Sequence, residues 1–198
     1  RVWFFKGGAR IWRAGIRETS GLNVADLGKA YQQMNRKIDF LIHELTMAGI
    51  PEDAITRQPI ESHFNYNRNR EKSGYEIFQD FFVITNQMET IEKIALKPSR
   101  YLEQGIILER SNLEYFSTEI DNLKKELLKN SMDNARERAQ AMLENTGLKI
   151  GRVLSARSGV FQITEPYSTE VAAYGVYNTA SKDKEIKVTV HVEFEIKQ

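Results

Sequence analysis

The sequence predicts an α+β protein: duplicated β-α-β-β units, mainly antiparallel sheet, with two long helices packed on one face. Three observations carry this prediction. Apolar residues recur every three or four positions along two long stretches, Val24–Ala48 and Ile120–Leu143. Both stretches run into a glycine followed by an apolar residue, Gly49–Ile50 and Gly147–Leu148, and then into strand-like sequence. Segments of period two flank them, so helices segregate from strands as in α+β folds. The predicted organisation is an N-terminal unit over 1–86, a helical link over 87–105 and a C-terminal unit over 106–198. A chain of 198 residues fits one large or two small domains and buries roughly 70% of its unfolded surface.

The first element, Ala9–Glu18, alternates Trp12, Ala14 and Ile16 against Arg13 and Arg17, as a half-buried strand does. The first helix carries Val24, Leu27, Tyr31, Met34, Ile38, Leu41, Leu45 and Ala48 on one stripe, with Asn23 or Asp26 near its start. Gly49 supplies the left-handed residue that ends it, Ile50 folds back, and Pro51 follows. Ala54–Tyr66 reads as a strand, Asn65–Lys72 as a polar loop, and Tyr75–Thr85 as a central strand apolar on both faces. Met88, Ile91, Ile94 and Leu96 predict a short helix that yields at Pro98, and a further turn ends at Gly105. Ile106–Phe116 is strand-like. The second long helix opens at Ser117 or Thr118, where Thr118 with Asp121 resembles a capping box, and stops at Gly147. Leu148–Ile163 reads as a strand broken at Gly151 and Gly159, and Pro166–Asp183 as a Tyr-, Ser- and Thr-rich loop. The last strand, Ile186–Ile196, is the cleanest alternation in the chain.

Composition excludes several classes. No cysteine is present, so disulfide scaffolds, thiolate metal sites and a cysteine nucleophile are ruled out. A net charge of +1 gives no bulk attraction to nucleic acid. The balance is uneven, however. Arg1, Lys6, Arg10, Arg13 and Arg17 stand in residues 1–17 with no acid, leaving −4 for the rest of the chain. Trp3, Phe4, Phe5 and Trp12 are interleaved with these charges, which reads either as a basic-aromatic binding surface or as an edge strand with its charges in water. Gly7–Gly8 is short enough to close a two-residue hairpin, or else marks a missing connection. The chain opens at Arg1 without an initiator Met, as a trimmed, processed or partial gene product does, and contains no transmembrane segment or export signal.

No catalytic constellation emerges. His43, His63 and His191 are scattered, and HELTM at the first lacks the second imidazole of a zinc-binding HExxH helix. Ser155–Gly159 lacks the first glycine of a nucleophile elbow. Gly7–Gly8 is no phosphate loop. The acids sit at helical pairing distances, as Asp133 does with Arg136. Catalytic, cofactor and metal residues are therefore expected to be absent. The candidate binding surface comprises Tyr167, Tyr174 and Tyr177, since tyrosine is rigid, apolar and hydrogen-bonding at once. Arg68 and Arg70 in the polar loop join it as anion contacts, although Glu71 between loop charges favours plain solvation.

Asn134–Ser155 (NARERAQAMLENTGLKIGRVLS) resembles the hallmark of the SIMPL-domain family, the YggE-like proteins: an Ala-Arg-x-x-Ala helix leading to a glycine, an apolar residue, a second glycine and a strand. Leu45–Ile55, Gly74–Ile84, Ser117–Leu123 and Glu185–Ile196 fit the same pattern in order, so the likeness covers about residues 9–197 as one domain. The resemblance implies a bacterial protein, periplasmic or otherwise exported, with a homo-oligomeric or ring-like relative and links to oxidative stress. It implies no enzymatic activity and no cofactor. The first expectation is thus a non-enzymatic, self-assembling protein joined through strand edges, with a cell-envelope or stress-related role. The alternative is a binding module for a small molecule or partner protein that uses the 166–183 loop, and an enzyme of unknown class comes third.

Overall fold

The structure, a computed structural model, describes residues 3–6, for which only the backbone path is given, and residues 8–198. Its elements are β1 (Trp3–Lys6), β2 (Arg10–Ser20), α1 (Val24–Met47), β3 (Ile55–Arg57), β4 (Glu61–Tyr66), β5 (Lys72–Thr85), α2 (Met88–Ala95), α3 (Ser99–Leu102) and β6 (Leu108–Tyr115). There follow α4 (Ile120–Met142), β7 (Lys149–Ser158), β8 (Gln162–Thr164), β9 (Val176–Tyr177), β10 (Asp183–Lys187) and β11 (Val190–Lys197). Helices and largely antiparallel sheet make the predicted α+β fold. The chain groups into two compact units, Ala9–Glu114 and Tyr115–Gln198 with the N-terminal residues up to Gly8.

In the 9–114 unit the sheet runs β3-β5-β2-β6, with β4 also paired to β5. The predicted alternation of β2 holds: Trp12, Ala14 and Ile16 are buried while Arg13 and Arg17 reach solvent. They meet Ile77, Phe81 and Val83 of β5, and α1 lays Met34, Ile38, Leu41 and Leu45 across the same face. Trp12 meets Phe81 edge-on at 5.3 Å, and its indole N–H donates to Ser111 Oγ at 2.9 Å. Asn23 caps α1, its Oδ1 accepting from the Asp26 N–H at 2.7 Å. The helix ends as its sequence predicts. Gly49 takes φ +95°, and the Ile50 N–H returns to the Leu45 carbonyl at 3.0 Å, which buries Ile50 beneath the last turn.

Three expectations change here. Ala54–Tyr66 is not one strand: a 3-10 turn at Glu52–Ala54 leads to β3, and Pro59, lacking an N–H, separates β3 from β4. β5 is central but is not covered on both faces. Ile77, Gln79, Phe81, Val83 and Thr85 are buried, whereas Ile84 remains 48% exposed and Phe78 and Phe82 are half-buried. On that outer face the guanidinium of Arg13 lies 5.7 Å over Phe82 and that of Arg17 lies 6.0 Å over Phe78. Residues 87–105 do more than link: Ile91, Ile94, Ala95 and Tyr101 are buried in the core of this unit.

In the 115–198 unit a four-stranded sheet runs β1-β10-β8-β9, antiparallel except for β8–β9, and β7 pairs with β11 in a separate two-stranded ribbon. The final alternation, 186–196, is therefore split between sheets. The break at Val188–Thr189 faces the break between β7 and β8, where the Gly159 N–H donates to the Thr189 carbonyl at 2.8 Å. Two long strands thus pass together from one sheet into the other, tied at the break by that bond. Gly151, an expected break, lies within β7.

α4 sits on this pair. Its Leu127 is buried with Ile163 and Ile186, and Ile120, Leu123, Phe161 and Val188 pack around them. The rest of the apolar ladder is half-buried or exposed, because a two-stranded ribbon is too narrow a floor to cover it. The helix stops at Met142, before Gly147, as Asn145 and Gly147 both take positive φ. The capping box does not form: Glu119 occupies the cap position with no side-chain bond to a helix N–H, its carboxylate accepting instead from the Asn122 amide at 2.9 Å, and Ser117 Oγ accepts from the Glu119 N–H at 3.2 Å.

The N-terminal expectations divide. β1 is an edge strand and pairs with β10 rather than with β2, so no hairpin joins the first two strands; Gly7 lies outside the described residues. β2 is interior, and Arg10, expected in water, is fully buried, with Nη1 donating to the Ala9 carbonyl at 3.0 Å.

Candidate functional site

The Tyr-rich loop is fastened by its backbone. Gln162 brackets Ala172, donating to its carbonyl at 2.8 Å and accepting from its N–H at 3.3 Å. Glu185, nearly buried, accepts from the Tyr167 N–H at 2.9 Å and pairs with Lys187 at 3.0 Å, and Lys187 in turn donates to the Ser168 carbonyl at 2.8 Å. Buried Lys184 donates to the carbonyls of Asn178 and Ser181. Charged groups removed from water must be matched, and here the loop's own carbonyls and N–H groups match them. The side chains of Tyr167 and Tyr174 are left outward, 87% and 98% exposed. Tyr177 differs: it lies in β9, stacks on Phe116 at 6.0 Å, and its hydroxyl accepts from the Ser117 N–H at 3.3 Å. It is a support of the loop. Gln162, Lys184 and Glu185 are not marked by any motif; the available signal was the run of four charges, Lys182–Glu185, leading into the last alternating segment.

Arg68 and Arg70 occupy the exposed turn between β4 and β5, in the other unit from the three tyrosines. That turn is organised by Asn67, whose Oδ1 accepts from the N–H groups of Asn69 and Glu71 at 2.9 and 3.0 Å, with Arg70 at φ +63°. His43, His63 and His191 are all exposed; His63 lies 3.6 Å from Glu61. Among the described residues no three His, Asp or Glu side chains converge as metal ligands would.

A second feature lies on the outer face of the 9–114 sheet. A cleft of about 370 Å³ is lined by Arg13, Gln58, Asp80, Phe82, Arg110 and Asn112, together with the strand backbone. Beside it, Gly15 of β2 lies directly opposite Asp80 of β5, whose side chain forms one wall. Any Cβ at Gly15 would stand well inside contact distance of Asp80 Oδ1, so the carboxylate rests over bare backbone. Across the glycine, Arg110 of β6 approaches Asp80 at 3.7 Å, while Arg13 Nε bonds Glu114 at 3.0 Å. A glycine inside a strand often marks a place where another group must come close to the backbone. The alternation Arg13, Gly15, Arg17 was the available sequence signal.

Two long helices lying on largely antiparallel sheet define an α+β protein, and within that class the chain belongs to a family. It is the SIMPL family, described as a protein of unknown function (DUF541), which matches residues 13–196. No curated protein matches the chain. Among the described residues no helix is long and apolar enough to cross a membrane.

Proposed function

We propose that this chain is a non-enzymatic, exported protein of the bacterial cell envelope that assembles with copies of itself through strand edges, in a cell-envelope or stress-related role. The observation that carries the reading is the β7–β11 ribbon, in which each strand has a single neighbour. Two-stranded sheet is marginal unless a helix or further strands cover it, and unpaired edges are templates for another strand. The register favours β11 as the docking edge. Between Glu193 and Ile196 the extra residues fall on β7, so β7 is kinked and β11 keeps a regular edge of eight residues. Leu154 and Ile196, both 58% exposed, add apolar surface to the ribbon. Export is supported by the family resemblance, and fractionation of cells making the full-length gene product tests it. Light scattering on a size-exclusion peak tests assembly: a multimer is expected, and a strict monomer at tens of micromolar removes the reading.

A second reading is favoured by the fastened loop, which holds Tyr167 and Tyr174 outward for a partner protein or small molecule. Replacing Tyr167 and Tyr174 together by alanine, with Tyr177 kept as the loop's support, is expected to abolish capture of such a partner with the fold intact. Undiminished capture by the folded variant would discard this reading.

A further inference from the structure

The cleft beside Gly15 is a built recess, and its charges define a ligand. Exposed ion pairs of the kind that line it contribute only about 0–1 kcal/mol to stability, so stability alone is a weak reason for a glycine at the centre of an interior strand. The Arg110–Asp80 separation of 3.7 Å is beyond hydrogen-bond length, which leaves both groups able to bond something placed between them. Arg13 spends Nε on Glu114 and keeps its terminal nitrogens as donors. Phe82, beside them, carries the Arg13 guanidinium over its ring at 5.7 Å and adds an aromatic edge to the lining. Gln58 and Asn112 add neutral hydrogen-bonding groups at the rim.

The recess is lined by two guanidiniums, of Arg13 and Arg110, and one carboxylate, of Asp80, while Glu114 pairs with Arg13 outside the lining. A simple anion or cation would leave one sign unanswered. A zwitterion answers both, replacing a loose protein ion pair by two closer ones at no change in net charge. At about 370 Å³ the cleft is at the small end of ligand sites, which run from about 300 to 1,000 Å³. It suits a compound of amino-acid size and excludes dinucleotides and long peptides.

We propose that this recess binds a small zwitterion with a flat apolar body, of the class of free aromatic α-amino acids. The ligand carboxylate lies between Arg13 and Arg110, its ammonium meets Asp80, and its ring lies along the edge of Phe82. The site is distinct from the Tyr-rich loop and from the β7–β11 ribbon, so it stands whether or not the chain assembles.

Isothermal titration calorimetry of the intact chain tests this with three probes: L-phenylalanine, 3-phenylpropionate, which lacks the ammonium, and 2-phenylethylamine, which lacks the carboxylate. Saturable binding of L-phenylalanine is expected, with each analogue weaker by about tenfold or more, since each loses a charged hydrogen bond. Asp80→Asn should weaken L-phenylalanine by about tenfold and leave 3-phenylpropionate unchanged. Arg110→Gln should weaken both. Both variants alter exposed side chains and are expected to fold, which circular dichroism checks. Three results each overturn the proposal: no saturable heat with L-phenylalanine at millimolar concentration, equal binding of all three probes, or undiminished binding by the folded Asp80→Asn protein.

Discussion

Removing the Trp12 side chain should be the most damaging single truncation in the 9–114 unit. The residue is fully buried near the start of β2, within the core cluster and against Phe81. An indole buries about 150–250 Å², which at about 25 cal/mol per Å² corresponds to roughly 4–6 kcal/mol. The edge-on contact with Phe81 adds about 0.5–1.5 kcal/mol, and the bond to Ser111 about 1 kcal/mol. Relaxation around the void and the compactness of the unfolded chain bring the expected cost of Trp12→Ala to about 3–5 kcal/mol. Trp12→Phe keeps a ring against Phe81 but drops the Ser111 bond, so it should cost roughly 1–2 kcal/mol. Ser111 keeps a second, longer bond to the Ala95 carbonyl at 3.4 Å, which limits the orphaning of its hydroxyl. Urea unfolding followed by far-UV circular dichroism measures both variants without relying on the lost fluorophore. A Trp12→Ala loss below about 1 kcal/mol, at unchanged denaturant dependence, would show that the residue is not the centre of this core.

Two further outcomes are expected. Gly49→Ala should cost about 1–2 kcal/mol, because alanine must adopt the left-handed φ of +95°; an added Cβ meets only Gln87 Oε1 at 3.6 Å, so the loss in a urea titration is conformational rather than steric. Tyr101 tests alkaline behaviour: its hydroxyl is buried without a hydrogen-bond partner among the described residues, and burial raises its pKa above 10.0, opposed by Arg100 and aided by Glu44. The stability it contributes is therefore present below pH 10 and is lost as pH rises through the raised value. Tyr101→Phe should hold its stability near neutral pH and flatten the decline above pH 10, and thermal melts of the two proteins losing stability identically between pH 9 and 11 would contradict the assignment.

Much of the fold was written in local pattern. The β2 alternation, the α1 stripe, the Asn23 cap and the Gly49–Ile50 reversal depend on residues close in sequence, and each holds. The misses came from distant partners. β5 looked covered on both faces because Phe78 and Phe82 are apolar, yet their cover is two arginines from β2. The alternation of 186–196 gave no sign of a sheet change, which depends on Gly159 across the ladder. The ladder of α4 was real but met a floor too narrow to bury it. At the candidate site, tyrosines were legible as residues but their fastening was not, since it rests on buried Lys184 and Glu185, which meet the loop only after folding. The cleft beside Gly15 stayed hidden because it takes several strands in register.

The β7–β11 ribbon is fixed at both ends and along one face. Its strands run on into β8 and β10, where Ile163 and Ile186 meet Leu127 in the core. At the far end the turn after Met142 ties β7 to α4, and the helix lies along both strands, with the Arg136 guanidinium 5.6 Å over the ring of Phe194. A strand added at the outer edge of β11 would therefore meet a ribbon whose direction the helix has already set.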